Sequence, residues 1–150
     1  MLLSDGGAKH DPHDFWKLYA MRGDQDVVIG RKTGRHDQRY RRALTAGLNL
    51  FLRLYFGVRL RDADSGFRLY RREVVEHIVR GPLRFRGFVS AEIALRALAY
   101  GFRVAEAPVS YRMREGESRG LPPRAIARAI VRLLADTRAL KREIRNGARA

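Results

Sequence analysis

Asp62-Ala63-Asp64-Ser65-Gly66-Phe67-Arg68-Leu69-Tyr70-Arg71-Arg72 sets two carboxylates on a tight turn immediately ahead of an alternating apolar and basic run. Asp, Ser and Gly are turn formers, because short polar side chains bond the nearby backbone and glycine relaxes its steric limits. The alternation that follows predicts a strand over Phe67 to Tyr70. Working outward, Arg39 to about Phe56 carries Tyr40, Leu44, Leu48, Phe51, Leu52 and Tyr55 at helical spacing, with Gly57 placed to end the helix. Asp26 to Ile29 predicts a short apolar strand ending at Gly30. Arg71 to Val79 predicts a short helix stopped by Gly81-Pro82. Phe85 to Val89 is expected to be extended, and Ser90 to cap a helix running to Tyr100 and closed by Gly101.

The flanks complete the pattern. Met1 to Ser4 reads as the end of a strand that leads into the Asp5-Gly6-Gly7 turn. Asp11-Pro12 opens a short helix to about Ala20, with Asp11 as N-cap and proline where a missing N–H is harmless. Arg103 to Tyr111 predicts a strand, and Pro108 assigns it an edge or terminal position. After a polar loop over Arg112 to Gly120, Leu121-Pro122-Pro123 opens a long helix to about Arg145. Its seam is Ile126, Ile130, Leu133, Leu134, Thr137, Leu140 and Ile144, with arginines on the rest of the wheel. Helices alternating with strands predict an α/β layer structure with a mostly parallel sheet. At 150 residues and 45% apolar composition, one core in one domain is expected.

Composition narrows the chemistry. There is no cysteine, which excludes disulfides and thiolate-held metals and leaves only oxygen or imidazole ligands. The formal net charge is +15, and 31 basic residues include only four lysines, leaving 27 arginines. Such a field attracts polyanions, and the planar guanidinium fork suits phosphate oxygens. Nucleotide diphosphates, lipid phosphates, acidic membrane surfaces and nucleic acid are therefore candidate partners; an Ala- and Arg-rich composition is also what a GC-rich genome produces. No apolar stretch approaches the roughly 20 residues that span a bilayer, and no signal-peptide core is present, so a cytoplasmic or peripheral protein is expected.

The Asp62 to Arg72 run, Asp26 to Gly30 upstream and Gly116-Glu117-Ser118-Arg119 downstream together resemble the second half of family 2 glycosyltransferases, especially the polyprenyl-phosphate sugar transferases of the dolichol-phosphate mannosyltransferase type. The resemblance implies an α/β GT-A (Rossmann-like) domain over 1–120, with 121–150 as an amphipathic basic helix packed on it. It further implies transfer of a sugar from a nucleoside-diphosphate donor to a polyprenyl-phosphate or other acceptor. In that family the strands that bind the nucleobase and ribose precede the Asp-x-Asp segment, whereas four residues precede Asp5 here. The chain is accordingly expected to correspond to an incomplete GT-A domain, its C-terminal portion: a fragment, the product of a late start codon, a stand-alone relic that has lost activity, or part of an assembly in which a homo-oligomer or a separate chain supplies the other half.

Site residues follow from the same resemblance. Asp5 matches the first acidic position of the Asp-x-Asp pair that holds Mg²⁺ or Mn²⁺ against the donor diphosphate, and Gly7 stands where the second carboxylate would be. Arg31 or Lys32, in Gly30-Arg31-Lys32-Thr33-Gly34-Arg35, would meet the acceptor phosphate. Asp62 and Asp64 would ligate a metal or bind sugar or acceptor hydroxyls, and an Asx-type turn is the structural alternative. Glu92 matches a glutamate at a helix start on the acceptor side, a position the helix dipole also favours. Arg112 or Arg114, with Ser118 and Arg119, would grip the donor diphosphate; a plain flexible loop is the alternative reading. A phosphate acceptor is already a nucleophile at neutral pH, so no strong general base is needed. A basic module binding nucleic acid or an acidic partner is the rival from another class, although no familiar nucleic-acid motif occurs.

Overall fold

The computed structural model describes residues 1–4, 10–34, 39–78, 82–85, 87–111 and 125–147. In chain order the elements are β1 (Leu2–Leu3), a 3₁₀ turn (Pro12–Asp14), α1 (Phe15–Ala20), β2 (Val27–Thr33), α2 (Arg39–Phe56), β3 (Arg68–Tyr70), α3 (Arg72–Ile78), α4 (Val89–Ala99), β4 (Val104–Ser110) and α5 (Ile126–Gly147). Strand order is β1-β3-β2-β4.

The sheet is mixed, which corrects the expectation of mostly parallel pairing. β2 and β4 are parallel, from Val27 opposite Val104 to Thr33 opposite Ser110, but β3 is antiparallel to both β1 and β2. After α2 the chain runs back alongside the sheet and enters β3 from the end at which β2 leaves, so β3 must point the other way. β4 takes an edge position, where Pro108 costs no ladder bond.

Two apolar clusters lie on the two faces of the sheet. On one face Leu18 of α1 packs with Val28, Phe67, Ala107 and Val109. On the other, Val27, Ile29 and Tyr70 meet Leu52 of α2, Val74 and Ile78 of α3, Ala91, Ala94 and Leu95 of α4, and Leu140 of α5. Each fully buried leucine contributes about 1.5–3 kcal/mol relative to exposure. The period-two alternation of β2 thus serves both layers at once.

Several local expectations change. β2 does not stop at Gly30. Gly30 lies under Phe67, its N–H donating to the Phe67 carbonyl at 2.8 Å, and a Cβ there would stand 2.9 Å from that oxygen. The glycine marks a close approach inside the strand. Ser90 is inside α4: the helix begins at Val89 after Phe88, with no side-chain cap. The α5 seam is buried at Thr137 and Leu140, but Ile130 near its start is 48% exposed. Asp11 does cap, accepting from the His13 N–H at 2.9 Å. Gly57 and Gly101 adopt φ of 71° and 83°, the left-handed values that end α2 and α4.

Candidate functional site

β1 and β2 run in the same direction, as do β2 and β4, so Leu3, Thr33 and Ser110 all leave the sheet at one end, the end at which the chain enters β3. In open α/β sheets ligands bind beyond the carboxyl ends of the strands. The Asp62 to Phe67 turn lies at that end, and it is tied from every side. The N–H of Ser65 closes the turn on the Asp62 carbonyl at 3.2 Å. The Glu106 carboxylate on β4 accepts the N–H of Asp62 at 2.7 Å and of Arg61 at 2.9 Å. Asn49 on α2 accepts the N–H of Ala63 at 3.0 Å. The Ser65 hydroxyl donates to the Gly30 carbonyl at 2.5 Å.

Arg68 completes the fastening. Fully buried, it donates to the carbonyls of Ser65 at 2.5 Å and Ser90 at 2.6 Å and to that of Ala63. One guanidinium therefore joins the turn to the first turn of α4. Arg68 and Tyr70 share the interior face, and Leu69 packs on the α1 side.

Asp62, held in this frame and 4% exposed, accepts the backbone N–H of Lys32 at 3.1 Å. Its other oxygen lies 3.5 Å from the Lys32 ammonium. The same ammonium sits 5.8 Å over the Tyr111 ring, and His10 stacks on Phe67 at 5.0 Å with its edge toward Tyr111. The result is a cation held by a carboxylate and an aromatic face at the carboxyl end of the two parallel strands, with His10 packed against the same Tyr111 ring. A cation positioned in this way can bind phosphate oxygens with little reorganisation.

The residues singled out from sequence fare differently. Lys32 and Asp62 meet, and Asp64 is half-buried on the same turn. Arg31 has the parity of Val27 and Ile29 and belongs to the opposite face of β2. Glu92 lies in the interior, fully buried. One of its oxygens accepts the N–H groups of Arg84 and Phe85 at 2.6 and 2.7 Å, and the other takes Nε and Nη2 of Arg96 at 2.9 and 2.8 Å. That engagement ties α4 to the 82–85 segment. Asp5, Arg112, Arg114, Ser118 and Arg119 lie outside the described residues.

Sequence reasoning missed Asn49, Arg68 and Glu106. Glu106 had a signal: it is the single acid in an otherwise apolar strand, Val104-Ala105-Glu106-Ala107-Pro108-Val109. Below the site, Asp14 ties α1 to β4. Burial opposes its ionisation, but hydrogen bonds from Lys17 at 2.6 Å and from the Ser110 N–H at 2.6 Å hold its carboxyl below the usual aspartate range.

No family model matches the chain. It is 30% identical over 118 residues to the polyprenol monophosphomannose synthase of Mycolicibacterium smegmatis, covering 74% of this chain and 44% of that protein. It is 32% identical over 120 residues to the dolichyl-phosphate hexose transferase of Haloferax volcanii, covering 75% of this chain and 51% of that one. The aligned region belongs to the polyprenyl-phosphate sugar transferase-like family 2 glycosyltransferases. The chain spans about half the length of the curated relatives it matches. The mixed α/β architecture is consistent with part of the Rossmann-like GT-A domain of these transferases.

Proposed function

We propose that this chain provides the acceptor-side portion of a GT-A sugar transferase, which moves a sugar from a nucleoside-diphosphate donor to a polyprenyl phosphate. The observation that carries the reading is the Lys32–Asp62 pair, on a turn immobilised by Glu106, Asn49 and Arg68, at the carboxyl end of β2 and β4. The kinship with two proteins named for polyprenyl or dolichyl phosphate supports the acceptor class.

In this reading Lys32 takes the acceptor phosphate, and Asp62 fixes the ammonium without discharging it. The Tyr111 ring limits water around the pair. A phosphate oxygen is already anionic at neutral pH, so it attacks the anomeric carbon without a base, while the nucleoside diphosphate leaves. Asp64 is assigned to a sugar or acceptor hydroxyl. Arg114, Ser118 and Arg119, with Arg112, are assigned to the leaving diphosphate, whose growing charge they would neutralise.

A divalent cation enters only through Asp5. The described side chains do not fit one: Asp62 is engaged by Lys32, and no three His, Asp or Glu side chains among the described residues are grouped to hold a metal.

The test is transfer of label from a panel of nucleoside-diphosphate sugars into an organic-soluble, mild-acid-labile product with polyprenyl phosphate as acceptor. Lys32→Ala should raise the apparent KM for polyprenyl phosphate at least tenfold, measured below its melting temperature, which falls because the buried Asp62 loses its cation. Lys32→Ala/Asp62→Asn should recover the melting temperature and keep the raised KM. Equal transfer by Lys32→Ala, or no thermal shift of the wild type with any donor or polyprenyl phosphate, refutes the reading.

A further inference from the structure

Away from the site, the end of α2, the second half of α4 and the last turns of α5 enclose a groove of about 930 Å³. Its floor is apolar, formed by Val58, Leu95, Leu98 and Ile144. Its rim carries Arg59, Arg138, Lys141, Arg142 and Arg145, and no carboxylate is among the described lining residues. Five cations around an apolar floor are costly to gather unless an anion joins them. Elsewhere on α2, Leu54 is 77% exposed and Leu50 53%.

We propose that this groove seats an acidic phospholipid of a membrane surface, with acyl carbons on the Leu95, Leu98 and Ile144 floor and the phosphate among Arg138, Arg142 and Arg145. Charge complementarity selects an anionic partner, and the aliphatic floor selects an amphiphile over a free anion. Nucleic acid fits less well. Base stacking needs an open aromatic face, and the Tyr55 ring is covered by the Lys141 ammonium at 4.4 Å, itself fixed to the Tyr55 carbonyl at 2.6 Å. Basic side chains around an aliphatic floor are the composition of interfacial attachment.

The inference does not depend on sugar transfer, because vesicle binding is read without donor or acceptor. The wild-type chain should float with phosphatidylglycerol-containing vesicles and not with pure phosphatidylcholine. Arg138→Gln/Arg142→Gln should lower the partition coefficient about 30-fold, as two phosphate-facing charges are lost. Arg128→Gln/Arg132→Gln removes the same charge from exposed positions of α5 outside the groove and should change it less than about threefold. Dihexanoyl phosphatidylglycerol below its micelle concentration should raise the melting temperature, and glycerol phosphate should not. Equal losses in the two double variants would mean nonspecific attraction to a +15 chain and would overturn the proposal. Protection by glycerol phosphate, absence of flotation, or a concentration-dependent dimer that is unaffected by lipid would overturn it too.

Discussion

Replacing Arg68 by methionine tests the reasoning about the site turn most directly. The guanidinium is fully buried and donates to three carbonyls, those of Ala63, Ser65 and Ser90. Methionine fills similar volume and removes every donor. Each buried carbonyl left without its partner costs about 1–3 kcal/mol. Each keeps a second lone pair for a water or a relaxed neighbour, and removing the cation also removes its own desolvation cost of several kcal/mol. The net loss expected is about 3 kcal/mol, concentrated in the turn and in its joint with α4. Urea unfolding should show it as a midpoint lowered by roughly 1–2 M, with little change in slope. Hydrogen exchange at the amides of Ala63, Ser65 and Phe67 should accelerate before the core strands do. Arg68→Lys should recover little, because one ammonium cannot span three diverging acceptors. An unchanged midpoint for Arg68→Met, with unchanged exchange in the turn, would refute the claim that this side chain holds the site together.

Other perturbations follow from the same geometry. Gly30→Ala should cost about 1–3 kcal/mol in denaturant unfolding, because the new methyl meets the Phe67 carbonyl at 2.9 Å, Phe67 Cδ1 at 3.0 Å and Val109 Cγ2 at 3.0 Å; a neutral result would show that Phe67 can yield. Arg96→Met should cost about 3–5 kcal/mol by stranding the buried Glu92. Glu143→Gln, on the half-open side of the same triad, should cost no more than about 1 kcal/mol, so equal effects would argue against burial as the cause. Stability should fall on acidification below the ordinary carboxylate values of 3.8 and 4.5. Asp26 is held low by the Arg103 amide and guanidinium and by Arg71. Glu143 is held low by Arg96 and Arg84 and Asp14, against its burial, by Lys17 and Ser110. A depressed folded-state value means stabilisation that is complete above the unfolded value and lost as pH drops through the folded one; a melting temperature flat from pH 5 to pH 2 would contradict these pairings.

The kinship was legible because it rests on local signals. Turn chemistry in Asp62-Ala63-Asp64-Ser65-Gly66 and the helical period of α2 each act over a few residues, and both are visible without a partner strand. The same is true of Gly57 and Gly101, whose positive φ ends a helix whatever lies around it. Pro108 likewise announced an edge or terminal position from its missing N–H alone, and the edge is what the sheet shows.

What only the tertiary structure decided concerns which side of an element is inside and what sits opposite. The direction of β3 depends on how the chain returns from α2, and a period of two says nothing about strand direction. The sequence assigned Arg68 no role, and only the three carbonyls that converge on it in space repay its burial. Lys32 and Arg31 are neighbours in sequence and equivalents in chemistry; the pleat alone sent one to Asp62 and the other to the far face. Glu92 matched a motif, and only the approach of the Arg84 and Phe85 amides and of Arg96 turned it inward. Propensities and turns are fixed by neighbours along the chain, whereas pairing of buried polar groups is fixed by neighbours in space.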